Sequence, residues 1–199
     1  MRRLHGKYLA ALLTALSLLG ACTDTKSGPL EKRSKTTASS VADGWVVEDD
    51  PEWLYEIAHP SSWRLGPLLV SHGDIRQWEM LSLGTYELRP GSKKCPHIPA
   101  NALNDLGPED AFLWIQEPEY LDGFPPRPPT FAPDFTTRSD HSNELSIFRC
   151  VDGRRDFRFS TIAFEDRGRN FFALLALGLQ ASETTRRDLV SVLNSLRIR

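Results

Sequence analysis

From Phe171 to Leu177 both alternating phases of the chain are apolar: Phe171, Ala173, Leu175 and Leu177 in one, Phe172, Leu174 and Ala176 in the other. An extended segment sends successive side chains to opposite faces, so a strand of this kind must be central and covered on both sides. Its surroundings are equally constrained. Asp166-Arg167-Gly168 is a turn signal leading into a strand expected over 170–179. Upstream, Leu145–Val151 and Arg154–Phe164 flank Asp152-Gly153, a strong hairpin signal. Downstream, Ser182 suits an N-cap and Glu183 the helix dipole. Leu189, Val192, Leu193 and Leu196 then recur at helical spacing toward Arg197. That pattern predicts an amphipathic helix laid on the sheet.

The preceding part of the chain adds shorter signals. Tyr55–Ala58 reads as a strand stopped by His59-Pro60, and Leu68–Val70 as a short apolar run. Over 77–88, Trp78, Met80, Tyr86 and Leu88 share one period-2 phase, with Gly84 placed to mark a bulge. Pro99–Leu106 suits one short helix, ended by Gly107-Pro108. Ala111–Ile115 is continuously apolar, as a doubly covered strand would be. The expected class is α+β: a twisted, mainly antiparallel β-sheet flanked by helices, with the C-terminal helix packed on it.

The first 43 residues belong to something else. Arg2, Arg3 and Lys7 precede an apolar run from Tyr8 to Leu19, which is too short to span a bilayer and has the length of a secretory signal. It closes on Leu19-Gly20-Ala21-Cys22, which resembles the lipobox of bacterial lipoproteins. The resemblance implies cleavage before Cys22, acylation of its thiol and, with two or more acyl chains, stable anchoring at the extracytoplasmic face of the cell membrane. The bland alternative is an ordinary secretory signal with Cys22 a bystander. Thr23–Asp43, rich in Ser, Thr, Lys and Gly, has too little apolar surface to offset its ordering entropy. The expected organisation is a signal over 1–21, a lipidated cysteine and flexible tether over 22–43, and one globular domain over 44–199. A coil of that length reaches roughly 25 Å.

Composition bounds the partners. Without Arg2, Arg3 and Lys7 the formal net charge moves from −2 to −5, and the remaining basic residues are scattered, which argues against a nucleic-acid footprint. Apolar residues, at 40%, suffice for one sizeable core. After lipidation two thiols remain, Cys95 and Cys150. One disulfide suits an oxidising compartment and would contribute about 4 kcal/mol by loop entropy, as an upper figure. Two other readings stay open: a free buried pair, and a metal site using Cys95-Pro96-His97.

Ile57-Ala58-His59-Pro60-Ser61-Ser62-Trp63 resembles the opening strand of bacterial PsbP-like domains, and Leu193-Asn194-Ser195-Leu196-Arg197 is similar to their closing helix. The likeness runs loosely from Trp53 to Arg199. It implies an α/β/α sandwich and a non-catalytic role in binding, stabilising or assembling larger complexes. The chain departs from the family in its long proline-rich segment, and Ser62 stands where a glycine is common.

That segment, Phe124-Pro125-Pro126-Arg127-Pro128-Pro129, is the most unusual surface candidate. Paired prolines favour a pre-ordered polyproline II conformation that is easily docked; the alternative is a rigid connector crossing the sheet edge. His59, His72, His97 and His141 are scattered. His72-Gly73-Asp74 is a conceivable acid–base pair, but two residues on one loop do not make a site. Ser61-Ser62 beside His59 lacks a nucleophile elbow, Glu48-Asp49-Asp50 lacks a calcium-loop pattern, and no phosphate-binding glycine motif occurs. No catalytic set, cofactor or resident metal is expected. The first functional expectation is a lipid-anchored, non-enzymatic binding or accessory module of the cell envelope with a protein partner. Alternatives are an envelope hydrolase or metal-dependent enzyme using His72, Asp74 or His97, and a single-domain solute-binding lipoprotein.

Overall fold

The computed structural model describes residues 37–41, 44–67, 77–91, 98–118, 123–137 and 156–199. Among these residues two antiparallel sheets enclose one helix. The larger sheet contains β4 (Arg64–Leu65), β5 (Gln77–Gly84), β6 (Ala111–Pro118), β7 (Thr136–Thr137), β8 (Arg158–Asp166) and β9 (Arg169–Leu177), ordered β4-β5-β6-β9-β8-β7. The smaller contains β1 (Thr37–Val41), β2 (Trp45–Asp50), β3 (Tyr55–Pro60) and β10 (Arg197–Ile198), ordered β1-β2-β3-β10.

β9 is central, between β6 and β8, as its two apolar phases require. Phe171, Ala173, Leu175 and Leu177 join Ala111, Leu113 and Ile115 of β6 in one core cluster. Leu174 and Ala176 join Phe112 and Trp114 in the other. The β8–β9 turn is closed by Arg167 (φ 54°) and Gly168 (φ 76°), the left-handed pair that matches strand twist in a two-residue hairpin.

The two faces of this sheet are covered differently. On one lies α1 (Glu183–Ser195), whose Leu189, Val192 and Leu193 are buried against β6 and β9, with Tyr55, Ile57 and Ile198 of the smaller sheet completing the layer. Ser182 caps α1 by accepting the Thr185 N–H at 3.0 Å. On the other face Pro99–Leu106 forms successive turns rather than the expected helix, yet Ile98, Ala102, Leu103 and Leu106 are buried there. Polar brackets hold these turns: Asn101 accepts the Arg89 N–H at 2.7 Å and donates to the Glu87 carbonyl at 2.8 Å. Among the described residues the sheet therefore has a helix on one side only, and helices on both sides are not found.

Other expectations shift at their edges. Strand β5 carries its register shift between Glu79 and Leu81, not at Gly84, so the period-2 phase breaks and residues 79–84 are all buried. Tyr86 and Leu88 lie beyond it, in the turns. α1 ends at Ser195, and Leu196 redirects the chain so that Arg197 and Ile198 pair with Glu56 and Tyr55. Thr37–Val41, read from composition as unstructured tether, pairs with Trp45–Asp49. A strand added to an existing hairpin is held by backbone bonds and needs little apolar burial. Gly178, just past β9, allows close approach: a Cβ there would lie 2.1 Å from the Gly107 carbonyl oxygen. Among the described residues no helix is long and apolar enough to cross a membrane.

Candidate functional site

The proline-rich segment opens a strap, residues 123–137, that runs along the outer edge of β8. At one end Glu165 donates its N–H to the Pro125 carbonyl at 2.7 Å and accepts the Arg127 N–H at 2.8 Å. Arg127 also pairs with Asp166 at 2.9 Å and lies 5.2 Å over the Phe131 ring. At the other end Thr136 and Thr137 pair with Phe159 and Arg158. Between them Phe131 is buried, its ring 4.9 Å from Phe164. Asn194 of α1 grips the Phe131 backbone from both sides, accepting its N–H at 2.7 Å and donating to its carbonyl at 3.1 Å.

Of the four residues expected to bind a partner, Arg127 is therefore engaged within the domain, and the backbone of Pro125 and Arg127 is used on Glu165. Pro125 and Pro126 keep exposed side chains and Phe124 is half-buried. The connector role fits these contacts.

Between its two attachments the strap stands away from β8 and leaves a groove of about 550 Å³. Thr130, Pro133 and Asp134 line one wall, and Ser160, Thr161 and Ile162 the other. A second groove, of about 520 Å³, separates the strap from Arg186, Arg187, Val190 and Ser191 of α1. The first is lined by hydroxyls, apolar surface and one carboxylate. That composition suits hydrogen-bonded binding and supplies no nucleophile–base pair.

The remaining sequence candidates fall elsewhere. Cys22, Cys95, Cys150, His72, Asp74, His97 and His141 lie outside the described residues, as do Leu68–Val70, Leu145–Val151 and the Asp152-Gly153 turn. His59 is buried on β3; its Nδ1 donates to the Pro60 carbonyl at 2.8 Å and its Nε2 faces Glu48 at 3.5 Å. Ser61 and Ser62 are exposed in the following turn. Glu48, Asp49 and Asp50 do not converge: Glu48 faces His59, Asp49 pairs with Arg199, and Asp50 accepts the N–H groups of Glu52 and Trp53, each at 3.0 Å. No three His, Cys, Asp or Glu side chains are grouped for a metal among the described residues.

One phenol is strongly perturbed. Tyr86 donates to the Ala102 carbonyl, and burial first, then the Asp110 and Asp105 carboxylates, push its ionisation above the ordinary range. It is a buried bracket for the turns covering the sheet and faces neither groove.

The residues that shape the first groove, Asp134 and Thr161, were not singled out from the sequence. No local motif marks them, because the gap exists only once the strap has been attached at both ends of β8. Comparison with family models, with curated proteins and with solved structures finds no significant match to this chain.

Proposed function

We propose that this protein is a lipid-anchored lipoprotein of the extracytoplasmic membrane face, acting as a non-enzymatic interaction or accessory module through the strap side of its domain. The location rests on Leu19-Gly20-Ala21-Cys22 following a short apolar run. The interaction role rests on one observation above all: a pinned, proline-rich strap leaves an open groove of about 550 Å³ beside a sheet edge. A rigid site of that kind binds with little ordering cost.

A PsbP-like arrangement belongs to the same proposal. In its support, the two segments that carry the resemblance touch: the Ser195 hydroxyl accepts the Ala58 N–H at 2.9 Å and lies 3.0 Å from the Ala58 carbonyl. Trp63, which closes the first segment, is buried. The hydrolase alternative draws on His72, Asp74 and His97, which lie outside the described residues.

The test has two arms. Cys22→Ser should move the protein from the membrane to a soluble fraction; unchanged membrane association would remove the anchor. In-cell crosslinking of the anchored chain should recover a partner protein through the strap side. Recovery of none, in a cell where the protein is expressed and anchored, would remove the module.

A further inference from the structure

We infer that the groove beside β8 takes a short extended peptide from the partner, added as a strand to the open middle of that edge; this rests on the interaction reading above. The argument begins with backbone direction. In an antiparallel ladder the N–H and C=O of one residue point to the same side, and the side alternates along the strand. Glu165 directs both groups outward, to Pro125 and Arg127 of the strap. Ala163, Thr161 and Phe159 share that direction, while Ile162 and Ser160 face β9. Phe159 lies opposite Thr136.

Between the Pro126–Glu165 bridge and the Thr136–Phe159 pair, no described residue pairs with the outward groups of Thr161 and Ala163. The open stretch from 159 to 165 is roughly 20 Å long. A sheet edge of this kind offers donors and acceptors at two-residue spacing, which an extended peptide backbone complements.

The walls specify the peptide further. Strap attachments at both ends limit the added strand to a few residues. Asp134 is the only charged side chain among the described residues that line the groove, and it is exposed. A lysine or arginine on the peptide complements it. A second copy of this chain fits worse, because its own β8 edge carries the same strap and would bring a second Asp134 against the first. Ile162 and Phe159 provide apolar surface for alternate side chains.

The test uses the detergent-solubilised full chain and a synthetic peptide of alternating valine and threonine with a central lysine. Hydrogen exchange of the Thr161 and Ala163 amides, read by NMR, should slow by about tenfold or more at saturating peptide. The same peptide N-methylated at its pairing amides should not bind. Replacing its lysine by glutamate, or Asp134→Asn in the protein, should weaken binding about threefold. Thr161→Pro removes an outward N–H without removing a bond to β9, so it should abolish binding with an unchanged melt. If that variant does not fold, the N-methylated peptide still decides. Slow exchange of both amides in the free protein would overturn the proposal. So would equal binding of the N-methylated peptide, or a dimer that Thr161→Pro dissociates. If Thr161→Pro folds and keeps its crosslinked partner in cells, strand addition fails while the module reading stands. If the unaltered chain crosslinks to nothing, the module reading fails, and the amide exchange still decides whether the edge takes peptide.

Discussion

β9 and β8 lie side by side, paired from Arg158↔Leu177 to Asp166↔Arg169, yet their other sides differ. β9 is met by β6 over six residue pairs, from Ala111↔Leu177 to Gln116↔Phe172. Among the described residues β8 is met only at its ends, by the strap at Glu165 and by β7 at Arg158 and Phe159. The same pairing chemistry therefore yields a closed core in one strand and an open groove in its neighbour. The closed strand carries stability, and the open one supplies the edge on which the proposed peptide binding rests.

The contrast can be broken most strongly at the centre. Leu175→Ala leaves a cavity among fully buried neighbours and should cost about 4 kcal/mol, read as a shift in the urea midpoint at constant slope. A loss below about 1 kcal/mol would mean that β9 is not the packed centre. Just beyond it, Gly178→Ala drives a methyl group into the Gly107 and Pro108 carbonyls, 2.1 and 2.3 Å from the new Cβ. These are backbone atoms of a turn that also accepts the Gly178 N–H through Asp110 at 2.8 Å. The expected cost is about 3 kcal/mol, measured in the same way.

The strap sharpens the comparison at intermediate scale. Asn194→Ala leaves the buried backbone of Phe131 without the two hydrogen bonds that this one side chain supplies and should cost about 2 kcal/mol. Limited proteolysis should then cut within 123–137 sooner than in the unaltered protein. Unchanged cleavage would show that Phe131 packing alone holds the strap. The smallest effect belongs to the edge itself. Thr161→Ala alters an exposed side chain and should change stability by no more than about 0.5 kcal/mol. A loss approaching that of Leu175→Ala would show that the edge is as buried as the centre.

Sequence periodicity was informative where one strand or helix satisfied one simple rule. The double apolar phase of Phe171–Leu177 placed β9 centrally, and Asp166-Arg167-Gly168 marked its hairpin. Ser182 with Leu189, Val192 and Leu193 located α1 and its buried face. The rule failed where the backbone changed phase or where burial had no period. At Glu79–Leu81 one extra residue shifts the register of β5. At Pro99–Leu106 the apolar residues are buried from turns held by Asn101, and apolar content alone read as a helix. The two-residue strand β10 is too short to leave any pattern.

The candidate site shows the same division. Pro125, Pro126 and Arg127 were recognisable as an unusual run, and the alternative of a rigid connector at the sheet edge was legible with them. That Arg127 is held by Asp166 and Phe131, and that Thr161 and Ala163 are left open beneath the strap, was not. The Arg127–Asp166 contact joins residues 39 positions apart, and no local pattern encodes a gap between two attachments.

By itself, the order of residues determined the local conformations: an extended, doubly apolar segment, a left-handed two-residue turn and a capped amphipathic helix. Each depends on neighbours only a few positions away, through backbone sterics and alternation of side chains. Tertiary structure decided which edge of the sheet stays unpaired, which cation is consumed in an ion pair and which carboxylate faces the groove. Those outcomes depend on pairing between distant segments, where one backbone group satisfied by the strap is one no longer available to a partner.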